Sequence, residues 1–149
     1  MSHVTVIDIE IKDLGALRRA CEDLGLEFRE GQTTFKWYGR HVGDYPIPEG
    51  YSKEDMGHCE HAIGIPNNKN AYEVGVIRNK ATGGWHLMWD FFAGGHGLQK
   101  VVGNNCSKLV QGYSKQMVKS KLLPIMSKGF QLKEQQGQNG EIVLLLRRG

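Results

Sequence analysis

Cysteine and proline are scarce: three cysteines, Cys21, Cys59 and Cys106, and four prolines in 149 residues. An odd, widely spaced set of thiols excludes a disulfide-stapled scaffold and suits reduced cysteines in the cytoplasm. No apolar run approaches the ~18 residues that a bilayer-spanning helix needs, and the N-terminal stretch lacks a signal peptide's apolar core. The sequence therefore predicts no membrane association. Also missing are C-x-x-C, H-E-x-x-H, G-x-x-x-x-G-K-[ST] and a complete G-x-G-x-x-G, which removes the spacings that identify common zinc, metalloprotease and nucleotide sites.

What is present belongs to a folded protein. Hydrophobic residues make up 40% and charged residues 23% of the chain, which excludes wholesale disorder and fibrous repeats. The length suits one domain on a prior of ~100–200 residues, here spanning 1–149. Ile7, Ile9 and Ile11 alternate with Asp8, Glu10 and Lys12, the period of a half-buried strand. Asp13 then stands as a helix N-cap before Leu14, Leu17, Cys21 and Leu24, and Gly25 is placed to end that helix. Residues 26–38, rich in Phe, Thr, Trp and Tyr, predict a second strand with a break near Glu30-Gly31. Glycines and prolines from Gly39 to about Met56 mark a long surface excursion.

Short strands are expected over 61–65 and 71–78. A clear one follows over 85–92, with Trp85, Leu87, Trp89 and Phe91 on one face and His86, Met88, Asp90 and Phe92 on the other. After Gly97, the residues Leu98, Val101, Val102, Leu109 and Tyr113 share a helical arc, with a break expected near Gly112 or Tyr113. A further helix over 120–128 would tolerate Pro124 only in its first turn. Asn139-Gly140 between apolar runs predicts a closing hairpin. These elements give an α+β class: a two-layer sandwich of mostly antiparallel sheet, helices on one face, ferredoxin-like in character, with a C-terminal β-hairpin.

Met1-Ser-His3, the strand after it, and Ile11-Lys-Asp-Leu-Gly-Ala-Leu17 leading to Leu24-Gly25 resemble the opening of the hypothetical chloroplast reading frame 35 family, also called domain of unknown function 1257. Tyr72-Glu-Val-Gly-Val-Ile-Arg-Asn79, the stretch Trp85 to Asp90, and Gln111-Gly-Tyr-Ser-Lys115 resemble its central hairpin and helical tyrosine segment. The closing hairpin fits as well. Residues 39–64 have no counterpart and stand as a loop-rich insertion relative to the short cyanobacterial forms. The family occurs in chloroplasts, cyanobacteria, other bacteria and phages. No activity, cofactor or active-site residue comes with it, so the resemblance implies fold and an intracellular setting.

Three constellations suggest chemistry. His58, Cys59 and His61 crowd potential zinc ligands into four residues, although a tetrahedral shell would need further donors such as His41, His86 or Cys106. Gly94, Gly95, His96 and Gly97 lie between a strand and a helix, where backbone N–H groups and the helix dipole favour an anion. Charge is unevenly divided: residues 97–149 hold nine Lys or Arg against two Glu, whereas residues 1–96 hold ten against fourteen acids, for a net +3. Lys108, Lys115 and Lys119 fall on one side of the expected helix and suit phosphates, with Trp37, Tyr38, Trp85 and Trp89 as candidate base-stacking rings. Cys59 or Cys106 beside a histidine is the one nucleophile arrangement to weigh.

With no complete catalytic motif, the sequence favours a small non-enzymatic binding or accessory protein engaging a partner protein or an anionic ligand, without a cofactor. The alternatives are a nucleic-acid or nucleotide binder using the basic helix and the Gly94–Gly97 loop, and a zinc-dependent enzyme centred on His58, Cys59 and His61.

Overall fold

The odd-numbered isoleucines of the first strand, Ile7, Ile9 and Ile11, turn to one hydrophobic cluster, while Val4 and Val6 turn to another on the opposite face. In the computed structural model, which describes residues 2–41, 43, 45–126, 130–136 and 142–148, this strand is β1, Val4–Ile11. Of residue 8 and of residues 123–148 the backbone alone is described. Asp13 caps helix α1, Leu14–Asp23, by accepting from the Ala16 N–H at 3.1 Å, and Gly25 follows at φ +72°. Both roles agree with the expected chemistry of a helix start and stop.

Four strands complete the main sheet: β2, Glu27–Arg29; β3, His61–Gly64; β4, Val74–Arg78; and β5, Trp85–Asp90. Their order is β1-β5-β4-β3-β2 and each neighbouring pair is antiparallel. Strand β3 falls where a short strand was expected over 61–65, and it is an integral strand of this sheet. Helix α2, Leu98–Val102, and helix α3, Ser107–Met126, come next. A separate two-stranded sheet closes the chain: β6, Phe130–Gln136, paired with β7, Ile142–Arg148. The Asn139-Gly140 turn lies outside the described residues. Among the described residues no helix is long and apolar enough to cross a membrane.

Both faces of the main sheet are covered, as the alternation in β5 required. Leu87 and Trp89 join Leu17, Ala20, Leu98, Leu109 and Tyr113 in the cluster that contains the helices, while Met88 joins Phe35 and Met56 opposite. The second strand is much shorter than residues 26–38. After Arg29 the chain turns at Gly31, φ +77°, and leaves the sheet edge to cover that second face. Phe35 settles there over Gly75, where a Cβ would collide with its ring. Glu73 pins the crossing, accepting from Arg29, from the Gln32 amide at 2.9 Å and from the Lys36 N–H at 2.8 Å.

The helical region departs from expectation in two places. No break occurs at Gly112 or Tyr113, because Gly112 is where α3 meets α1: a Cβ there would lie 3.3 Å from that of Ala20. Tyr113 ties the two elements further, its hydroxyl accepting from the Lys12 N–H at 2.9 Å and the Asp13 N–H at 3.3 Å. The break falls instead at residues 103–106. Pro124 does not open a new helix either, since α3 runs through it to Met126.

Candidate functional site

From β5 the chain enters α2 through a left-handed turn. Ala93, Gly94, Gly95, His96 and Gly97 have φ of +53°, +63°, +64°, +54° and +109°. At Ala93 and His96 such angles cost about 1–2 kcal/mol per residue, since Cβ crowds the carbonyl oxygen. Hydrogen bonds hold the turn: the Gly94 N–H donates to the Phe91 carbonyl, and the Gly95 carbonyl accepts from the Tyr72 N–H at 2.9 Å. A second strained turn follows α2, with Gly103 at φ +86°, ψ 171°, Asn105 at +54° and Cys106 at +59°. Only glycine fits position 103: a Cβ would lie 2.6 Å from the Ser107 hydroxyl oxygen and 2.8 Å from the Lys108 nitrogen.

Between these turns opens a cleft of about 550 Å³. Ala93, Gly94 and Gly97 line it from the first turn, Gln99 and Lys100 from α2, and Gly103, Asn104, Ser107 and Lys108 from the second turn and the start of α3. The Gln99 amide donates to the Asn104 side-chain oxygen at 2.7 Å, bracing the two sides. Among the described residues the lining has two exposed lysines and no carboxylate. Helix α3 is 20 residues long with no acid in its first turn, so its positive end is not neutralised there. A helix terminus of that kind carries roughly half an elementary charge.

Of the residues singled out from sequence as an anion site, the structure brings Gly94, Gly97 and Lys108 together. Gly95 is buried behind the turn, and His96 points its ring edge-on to Tyr72, centroids 4.7 Å apart, so neither lines the cleft. Lys115 is drawn to the α1–α3 contact, its ammonium 4.0 Å from Asp23 of α1, and Lys119 does not line the cleft. Helical spacing put the three lysines on one side, but packing assigns them different neighbours. Lys100, Asn104 and Ser107 were not foreseen. The Gly103-Asn104-Asn105 run, rich in residues that tolerate positive φ, was the available signal.

His58, Cys59 and His61 do not converge. Cys59 donates its thiol hydrogen to the Gln32 carbonyl at 3.2 Å, and burial, aided by the nearby Glu73 charge, pushes its pKa up to about 12. The His61 Nδ1 accepts from the Gly31 N–H at 2.9 Å, with the ring against Phe28. Among the described residues no group of three His, Cys, Asp or Glu side chains is placed to hold a metal ion. The nucleophile arrangement fares no better. Burial raises the thiol of Cys21 to about 12, with a push from Glu22, and raises that of Cys106 further, so little thiolate exists at neutral pH.

His58 and Cys59 line a second cleft of about 540 Å³ together with Tyr51, Asp55, Arg78 and His86. Here the Tyr51 hydroxyl and His86 Nε2 share a hydrogen bond that ties the excursion to β5. Desolvation lowers the His86 pKa, partly opposed by Glu10. The unfolded chain therefore takes up this proton more readily than the folded one. The contribution to stability is complete above the free-imidazole pKa of about 6.5 and lost as pH falls through the lower folded value. Urea unfolding at pH 8 and pH 5.5 should show a larger acid-induced loss for the native chain than for His86→Gln. Equal losses would show that His86 is not the titrating group.

The candidate stacking rings are mostly engaged elsewhere. Trp89 is 1% exposed, Trp37 packs in the second cluster, and Trp85 lies under the Arg78 guanidinium at 4.3 Å. Tyr38 is exposed, with the Arg40 guanidinium over its ring. Fold and site together define an antiparallel α+β protein with a basic cleft built from two left-handed turns. No protein-family model, curated protein or solved structure matches this chain.

Proposed function

We propose that this is a small non-enzymatic binding protein whose ligand is a phosphate-bearing anion, held in the cleft between the Gly94–Gly97 turn and the start of α3. The observation that carries this is the pairing of Lys100 and Lys108 at the positive end of a 20-residue helix, with no carboxylate in the lining among the described residues. Glycine at positions 94, 97 and 103 permits close approach of a phosphate to the backbone. Among the described residues the lining has no histidine, thiol or carboxylate to serve as a general base, which favours binding over catalysis. A two-layer, ferredoxin-like architecture is part of the same proposal. It is supported by the β1-α1-β2-β3 opening and by α1 and α3 packed together over one sheet face.

Calorimetric titration with inorganic pyrophosphate at 50 and 200 mM salt tests the proposal. Binding is expected at low salt and weaker at high salt, because screening reduces the attraction. Failure to bind at 50 mM salt would overturn it.

A further inference from the structure

A second, smaller pocket of about 250 Å³ adjoins the phosphate cleft. The two share a wall, because Gln99 and Asn104 line both. Its character is different. Tyr45 and Phe91 line it edge to face at 5.2 Å beside the buried Trp89, and Asn105 joins Asn104 and Gln99 in its lining. The Gln99–Asn104 hydrogen bond uses one donor and one acceptor of that pair. That bond leaves the Gln99 side-chain oxygen and the Asn104 amide NH2 outside it.

One lining residue carries an unsatisfied polar group. Trp89 is buried to 1% exposure, yet among the described residues its indole N–H has no hydrogen-bond partner. Buried donors are nearly always satisfied, so this N–H, on a residue that lines the pocket, is a group that an acceptor reaching that wall would satisfy. Asn105 sits in the lining at φ +54°, a left-handed conformation that asparagine tolerates. Aromatic faces with donors and acceptors at the edge match a flat heterocycle that carries both.

Resting on the anion-binding proposal, we infer that the ligand is a mononucleotide. Its base occupies the pocket of Tyr45, Phe91, Trp89 and Asn105, and its phosphates occupy the cleft of Lys100 and Lys108. Polar groups along the base edge meet Asn104, Asn105 and Gln99, and a ring nitrogen or carbonyl accepts from Trp89. Neither half defines the ligand alone. The cleft accepts any polyphosphate, and the aromatic pocket adds the base.

Titration of the full chain with pyrophosphate, ADP, UDP and adenosine, followed by calorimetry and by the indole N–H resonance of Trp89, separates the two ideas. At least one nucleoside diphosphate is expected to bind tenfold or more tightly than pyrophosphate and to shift the Trp89 resonance, which pyrophosphate leaves in place. In Tyr45→Ala and Asn105→Gly that advantage should collapse towards one; glycine retains the backbone angle at 105. Pyrophosphate binding without any nucleotide advantage would overturn the base pocket and leave the anion cleft standing. Nucleotide binding that depends on Tyr45, without pyrophosphate binding, would keep the base pocket and overturn the cleft. If neither ligand binds, both fall. A single-stranded oligonucleotide that binds more tightly than either diphosphate would overturn the mononucleotide in favour of a nucleic acid.

Discussion

Asp90→Ala is expected to destabilise the fold by about 3–5 kcal/mol, because it strands three backbone donors at once and each is worth about 1–3 kcal/mol when buried without a partner. Asp90 is fully buried at the end of β5. One of its oxygens accepts from the His3 N–H at 2.9 Å and the Phe92 N–H at 3.1 Å, and the other from the Tyr38 N–H at 3.0 Å. This carboxylate joins the start of the chain, the excursion and the entry to the left-handed turn. Removing the buried charge offsets part of the loss, since its desolvation no longer has to be met. Asp90→Asn keeps one acceptor oxygen and should fall between the native chain and the alanine variant. The urea midpoint measures the effect; a loss under about 1 kcal/mol would show that water satisfies the stranded donors.

The double reversal Lys100→Glu with Lys108→Glu is expected to weaken pyrophosphate binding at least 100-fold. Opposite unit charges about 4 Å apart gain roughly 4 kcal/mol at a surface dielectric, and reversal turns that attraction into repulsion. Even after screening, about one order of magnitude per lysine is a modest expectation. Stability should hold, because both lysines are exposed and position 108 lies in the first turn of α3, where a negative charge complements the helix dipole. Loss of binding with an unchanged thermal midpoint would place the two lysines at the anion. Unchanged binding would move the anion elsewhere on the surface.

Local chemistry made much of the scaffold legible. Asp13 and Gly25 mark α1 because a cap and a left-handed stop are short-range requirements. The alternation from Trp85 to Asp90 required cover on both sheet faces, and two clusters provide it. Gly112 misled. Helix propensity treats glycine as a weak point, whereas here the missing Cβ allows α3 to approach Ala20, and packing outweighs the penalty. The end of β2 falls at the break expected near Glu30-Gly31, but that the chain does not resume as a strand was unreadable, because Phe35 takes a seat over Gly75, far along the chain.

For the candidate site the division is sharper. Gly94 and Gly97 beside a basic helix were visible in sequence as a place for an anion. That Lys108 faces it with Lys100, while Lys115 turns to Asp23, depended on how α3 lies against α1. His58, Cys59 and His61 are neighbours in sequence and disperse in space, since hydrogen bonds to Gln32 and Gly31 orient two of the three. The sequence by itself determined the antiparallel α+β character, the capped first helix, the covered sheet and the uneven charge, all consequences of residue type at short separation. Only the tertiary structure decided which side chains share a cleft. That depends on contacts between residues far apart in the chain, whose spacing carries no local periodicity to read.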